Sequence, residues 1–166
     1  VQNNSDGFVV FTHPDSDSVG DRDVVFIRPM VLVDPTDANT TVEGAGRWPL
    51  SDIEGWLDRV IDGVVATPAA AASIGGLDGL AFDVELAGEE LCGPEFCVMF
   101  VAATDRTGKS FDPGFRYRVY WLDQGELEPI VIVIGAEIDQ FDEWIPVAES
   151  LLESVVFGAP APHPDP

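Results

Sequence analysis

Phe115-Arg-Tyr-Arg-Val-Tyr-Trp-Leu122, followed after a short polar turn by Ile130-Val-Ile-Val-Ile134, decides how the chain folds. In the first run Phe115, Tyr117, Val119 and Trp121 point one way while Arg116, Arg118, Tyr120 and Leu122 point the other, as successive strand residues must. The second run is β-branched throughout with no polar face, which predicts a central strand covered on both sides. Two strands joined by Asp123 to Glu126 form a hairpin, so the sheet grows by antiparallel neighbours.

Outward from this pair the pattern continues. Leu80, Phe82, Val84 and Leu86 alternate with Ala81, Asp83 and Glu85 after the turn Gly75-Gly76-Leu-Asp-Gly79, and Val98 to Ala103 reads as a further strand. That glycine turn superficially resembles a phosphate-cradling loop. It lacks the lysine and the following helix that such loops need, so it is read as a turn. GFVVFT at 7–12 and DVVFIRPMVLVD at 23–34 are also strand-like. Pro29 interrupts the latter, and because proline cannot donate to a ladder it marks an edge, a bulge or a division into two strands.

Two helices are expected. Ser51 and Glu54 make a capping box, and Ile53, Trp56, Leu57, Val60 and Ile61 recur at helical spacing until Gly63 stops the run. Asp139 opens the second, with Phe141, Trp144, Ile145, Ala148, Leu151 and Leu152 as its stripe and Pro146 early enough to be tolerated. Strands in a meander with helices set apart predict the α+β class: a single antiparallel sheet of about five to seven strands with the helices near 51–63 and 139–154 packed on it. The chain reads as one domain over 1–158 with a proline-rich tail or linker, APAPHPDP, at 159–166.

Composition narrows the class of partner. The 166 residues are 46% apolar with mean hydropathy +0.13, enough for a packed core, and no apolar run reaches the length of a membrane helix. Eight basic against 30 acidic residues give a formal charge of −22, which repels a phosphate backbone and argues against nucleic-acid partners. Seven arginines accompany a single lysine, Lys109. High-GC coding or adaptation to salt accounts for that bias without a ligand; a cationic ligand or metal is the other account.

Four features carry candidate chemistry. Asp15, Asp17, Asp21 and Asp23 in DSDSVGDRD are the densest carboxylate cluster and a candidate calcium site, because hard cations take six to eight oxygens from such loops. Against the calcium loop of helix–loop–helix proteins it fails, with Val19 in the fifth ligand position and Phe26 in the twelfth; a solvated hairpin loop is the competing account. Arg116, Arg118 and Tyr120 on one strand face suit an anionic or planar ligand, unless they pair across the sheet with Glu85 or Asp83. Cys92 and Cys97 flank a Gly-Pro turn, a spacing that favours a disulfide across a hairpin over two reduced thiols, and with the polar start at Val1 it places the protein outside the cytosol, secreted or associated with the cell envelope. His13 and His163 lie near opposite ends, and no G-x-S-x-G elbow or cysteine beside a base supplies a nucleophile.

Ser73-Ile-Gly-Gly-Leu-Asp-Gly-Leu80 leading to Phe82-Asp-Val-Glu85, the aromatic strand through Tyr120-Trp-Leu-Asp123, and Phe141-Asp-Glu-Trp-Ile-Pro146 running to Leu152-Glu-Ser-Val155 resemble secreted actinobacterial lipoprotein-type domains of PsbP-like α+β form. The resemblance covers about half of the chain. It implies a non-enzymatic role in binding a ligand or partner. The expected function is therefore a non-catalytic extracytoplasmic ligand- or partner-binding module without a cofactor, tethered to a lipid anchor or a larger parent protein; the alternative is a small secreted hydrolase or cyclase whose acid and base lie far apart in sequence.

Overall fold

The computed structural model describes residues 2–4, 8–12, 22–29, 31–36, 47–60, 63–87, 98–104 and 107–158. Among them twelve strands and two helices follow one another: β1 (Gln2–Asn4), β2 (Phe8–Thr12), β3 (Arg22–Ile27), β4 (Val31–Val33), β5 (Arg47–Trp48), α1 (Ile53–Leu57), β6 (Val64–Ala66), β7 (Ala70–Ile74), β8 (Leu77–Leu86), β9 (Val98–Thr104), β10 (Thr107–Phe111), β11 (Phe115–Gln124), β12 (Leu127–Glu137) and α2 (Ile138–Leu152). They build two antiparallel sheets. The larger runs β1-β2-β3-β12-β11-β8-β6, with β7 also on β8, and the smaller runs β10-β9-β4-β5.

This corrects the expected α+β class with one sheet and two packed helices. About half of the described structure is strand and about a fifth helix, and the first helix shrinks to Ile53–Leu57. Its cap also moves by one residue: Asp52, not Ser51, accepts from the Gly55 amide at 3.1 Å. A one-and-a-half-turn helix with glycine in its middle has little stability of its own. A buried tertiary hydrogen bond from Trp56 Nε1 to the Val33 carbonyl at 2.7 Å holds it instead, helped by a local one from Trp48 Nε1 to the Asp52 carbonyl at 3.0 Å.

Pro29 divides its run into strands of different sheets, β3 in the larger and β4 in the smaller. The core is consequently two layers of side chains on opposite faces of the large sheet. Tyr117, Val119, Trp121, Val131 and Val133 face Leu32 of β4, Phe111 of β10 and Ile53 and Trp56 of α1. Tyr120, Leu122, Ile130, Ile132 and Ile134 face Phe141, Trp144, Ile145, Ala148 and Leu152 of α2. β12 thus lies between β3 and β11 with both faces covered, which is why Ile130 to Ala136 needs no polar residue. Leu151 departs from the expected helix stripe and is half exposed.

The glycine turn is a two-residue hairpin, Ile74 pairing with Leu77 across Gly75 and Gly76, whose φ values of 59° and 84° are those that favour glycine. Downstream, between β9 and β11, the chain forms β10. Its register on β9 shifts twice, so Thr107 to Phe111 shows no clean alternation. Among the described residues no helix is long and apolar enough to cross a membrane.

Candidate functional site

The hairpin residues Arg116, Arg118 and Tyr120 lie together on the α2 side of the large sheet, as the alternation required. Arg118 stands opposite Asp83 in the β11–β8 register. Its Nε donates to Asp83 Oδ1 at 2.8 Å and its Nη2 to Oδ2 at 3.1 Å, while Arg116 Nη2 reaches the same Oδ2 at 3.2 Å. Arg118 Nη1 then donates to Glu149 Oε1 of α2 at 2.9 Å, and the Tyr120 hydroxyl donates to that oxygen at 2.6 Å. The Phe141 ring lies 4.9 Å from the Arg116 guanidinium carbon and 6.0 Å from that of Arg118. The Asp83 hydrogen bonds hold the Arg118 guanidinium even more firmly protonated than usual, and burial followed by the Glu149 carboxylate pushes the Tyr120 phenol upward. Cross-strand pairing with Asp83 is therefore the arrangement found, and the network fastens α2 to β8 and β11.

Of the carboxylates offered as a calcium loop, Asp15, Asp17 and Asp21 lie outside the described residues, as do Cys92, Cys97, His13 and His163. Asp23 is inside β3 and buried. Its Oδ2 lies 3.4 Å from Lys109 Nζ of β10. Among the described residues no group of three or more His, Cys, Asp or Glu side chains is placed to hold a metal ion.

A groove lies elsewhere, at the end of the sheet where the β7–β8 hairpin, the β11–β12 turn and the approach to α1 converge. Its volume is about 830 Å³, within the roughly 300–1,000 Å³ typical of ligand pockets. Leu50, Ile53, Leu80, Trp121, Leu127 and Pro129 contribute apolar lining, and the remaining side chains include the carboxylates of Asp52, Glu54, Asp78, Asp123, Glu126 and Glu128. All six are exposed. Two have structural duties as well: Asp52 caps α1, and Asp123 Oδ1 accepts from the Gly125 amide at 2.7 Å to close the turn. Neither lysine nor arginine nor histidine is among the lining residues. The floor at Gly79 is tight, because a Cβ there would stand 2.1 Å from the Trp121 carbonyl oxygen.

No family model and no curated protein matches the chain. The geometry alone therefore speaks for the site. A groove with a partly apolar lining and carboxylates of a single charge can attract cationic groups to the carboxylates and take apolar atoms out of water. Sequence reasoning placed Ser51 to Glu54 in a helix cap, Asp78 in a glycine turn and Asp123 to Glu126 in a hairpin loop. Each assignment describes its own segment, and none indicates that the three segments meet.

Proposed function

We propose that this protein is a non-catalytic, extracytoplasmic binding module whose partner is a cationic peptide segment with apolar side chains, seated in the groove between α1 and the β11–β12 turn. The observation that carries the reading is the groove itself: six exposed carboxylates from three chain segments around a partly apolar lining, with no basic side chain among the lining residues. Side chains spread along a groove suit an extended chain better than a point ion, and opposite charge speeds encounter and orients the partner. The binding role is also what the resemblance to PsbP-like domains implies. Placement outside the cytosol rests on the Cys92 and Cys97 spacing, and a gain of two hydrogens on reduction of the intact protein is the expected sign of their disulfide.

A short peptide alternating lysine and leucine is a suitable probe. Titration followed by amide NMR is expected to give saturable shifts concentrated at residues 51–54 and 125–128. Glu126→Lys with Glu128→Lys should weaken binding about tenfold or more, whereas Asp142→Lys with Glu143→Lys, the same charge change on the exposed face of α2, should weaken it far less. Equal weakening by both pairs, or shifts spread evenly over the acidic surface, would show attraction to net charge and no groove site. Cleavage of the probe would favour the hydrolase alternative.

A further inference from the structure

The only lysine of the chain is used in the interior. In a protein with seven arginines, Lys109 of β10 in the small sheet places Nζ 3.4 Å from Oδ2 of Asp23 of β3 in the large sheet, and the two side chains are only 13% and 4% exposed. An ion pair at this place would be served at least as well by arginine, which is more weakly hydrated and forks onto a carboxylate. What arginine cannot offer is a nucleophilic amine. We infer that Lys109 and Asp23 condense into an amide bond in the folded chain, a covalent tie between the two sheets.

The surroundings favour that reaction. Asp23 Oδ1 is buried with no well-formed hydrogen bond among the described residues, the Gly135 backbone being the polar group besides Lys109 that favours the ionised carboxyl, and Gly135 leaves room for it: a Cβ there would stand 2.9 Å from Oδ1 and 2.9 Å from the Tyr117 ring. That ring also walls the amine, with its centroid 5.0 Å from Lys109 Nζ. Burial raises the Asp23 carboxyl above its ordinary value against the opposing pulls of Lys109 and the Gly135 backbone, which shifts it toward the neutral acid, the form able to lose hydroxide as water. A second carboxylate is at hand. The charge of Asp112 acts on Asp23 and further resists its ionisation, and Asp112 is held by the Tyr117 hydroxyl, which donates to its Oδ2 at 3.2 Å and accepts from its amide at 3.1 Å.

The balance is simple. An ammonium and a carboxylate become an amide and one water, with no oxidant or other reactant. Asp112 takes a proton from the Lys109 ammonium, the amine adds to Cγ of protonated Asp23, and Asp112 passes that proton to the departing hydroxyl and then takes the surplus proton from the amide nitrogen, ending as the neutral acid until solvent removes it. The Nζ–Cγ bond forms and a Cγ–O bond breaks. Fixed proximity supplies much of the rate that free amines and acids lack, and the product replaces a buried ammonium and a buried carboxyl by one neutral amide, removing the desolvation cost of the ammonium.

Intact mass of the purified, folded, reduced chain tests this directly. The expected mass is one water below that of the sequence, and tandem mass spectrometry of a digest should find the β3 and β10 peptides as one branched species. Lys109→Arg should restore the full mass and lower the melting temperature, and Asp112→Asn should slow or abolish the water loss in a chain that still folds. Asp23→Asn should lose ammonia in place of water. A folded wild-type chain of full mass overturns the proposal. So does a water loss that persists in Lys109→Arg, which would place the dehydration at another residue.

Discussion

Arg118 holds Asp83 by two parallel hydrogen bonds, Nε to Oδ1 at 2.8 Å and Nη2 to Oδ2 at 3.1 Å, from the position directly opposite across β11 and β8. A third donor of the same guanidinium reaches Glu149 at 2.9 Å. One side chain therefore joins two strands and α2. Arg118→Lys keeps the charge and loses the fork, and is expected to cost about 1–2 kcal/mol in urea unfolding, reduced from a fully buried pair because the side chain is partly exposed. Asp83→Ala should cost more than Arg118→Lys, since it leaves two guanidinium groups facing each other without their shared anion. Equal stability of Arg118→Lys and wild type would show the fork to be dispensable.

Gly79 is in β8 opposite Leu122, and a Cβ there would lie 2.1 Å from the Trp121 carbonyl oxygen. Backbone cannot move aside as a flexible side chain can. Gly79→Ala is expected to destabilise by about 3 kcal/mol or more, at the upper end of overpacking effects. Because Gly79 and Trp121 both line the groove, probe binding should weaken in the same variant. The control is Gly76→Ala: Gly76 has open space around its Cβ position but φ of 84°, so it should lose only the backbone term, about 1 kcal/mol.

Asp34 accepts from both the amide of Thr36 at 2.9 Å and its hydroxyl at 2.7 Å. These bonds, the backbone one foremost, hold its carboxyl below the ordinary aspartate pKa of 3.8. A group whose folded value is depressed adds stability that is fully present above its unfolded value and is lost as pH falls through the folded value. An NMR titration should therefore find the Asp34 midpoint below 3.8. Asp34→Asn should be less stable than wild type at neutral pH by under about 1 kcal/mol, since the group is largely solvated, and the two stability curves should converge in strong acid. A midpoint at or above the ordinary value would contradict the turn geometry.

Much of the large sheet was legible because local periodicity records how a segment is buried. The alternation of Phe115 to Leu122 assigned each side chain to its face, the unbroken Ile130 to Ile134 run marked the strand covered twice, and Pro29 marked an edge, a bulge or a division, of which the structure shows the division between β3 and β4. The same rule explains the failures. Ile53 to Ile61 carries helical spacing, yet the helix ends at Leu57, with Trp56 anchored to the Val33 carbonyl 23 residues away. β10 was missed because its bulged pairing with β9 leaves no regular pattern, and with it went the second sheet and the setting of Lys109.

By itself the sequence determined the antiparallel strands, the buried faces of β11 and β12 and most of that of α2, and a formal charge of −22, because composition and alternation act residue by residue along the chain. Only the tertiary structure decided that a second sheet and a short helix cover one face, that Asp83 takes both strand arginines, that six carboxylates meet at one groove, and that Lys109 lies against Asp23. Those are meetings of residues as many as 86 positions apart. Long-range pairing is selected by the packing energy of the whole core, and no local window of sequence contains both partners.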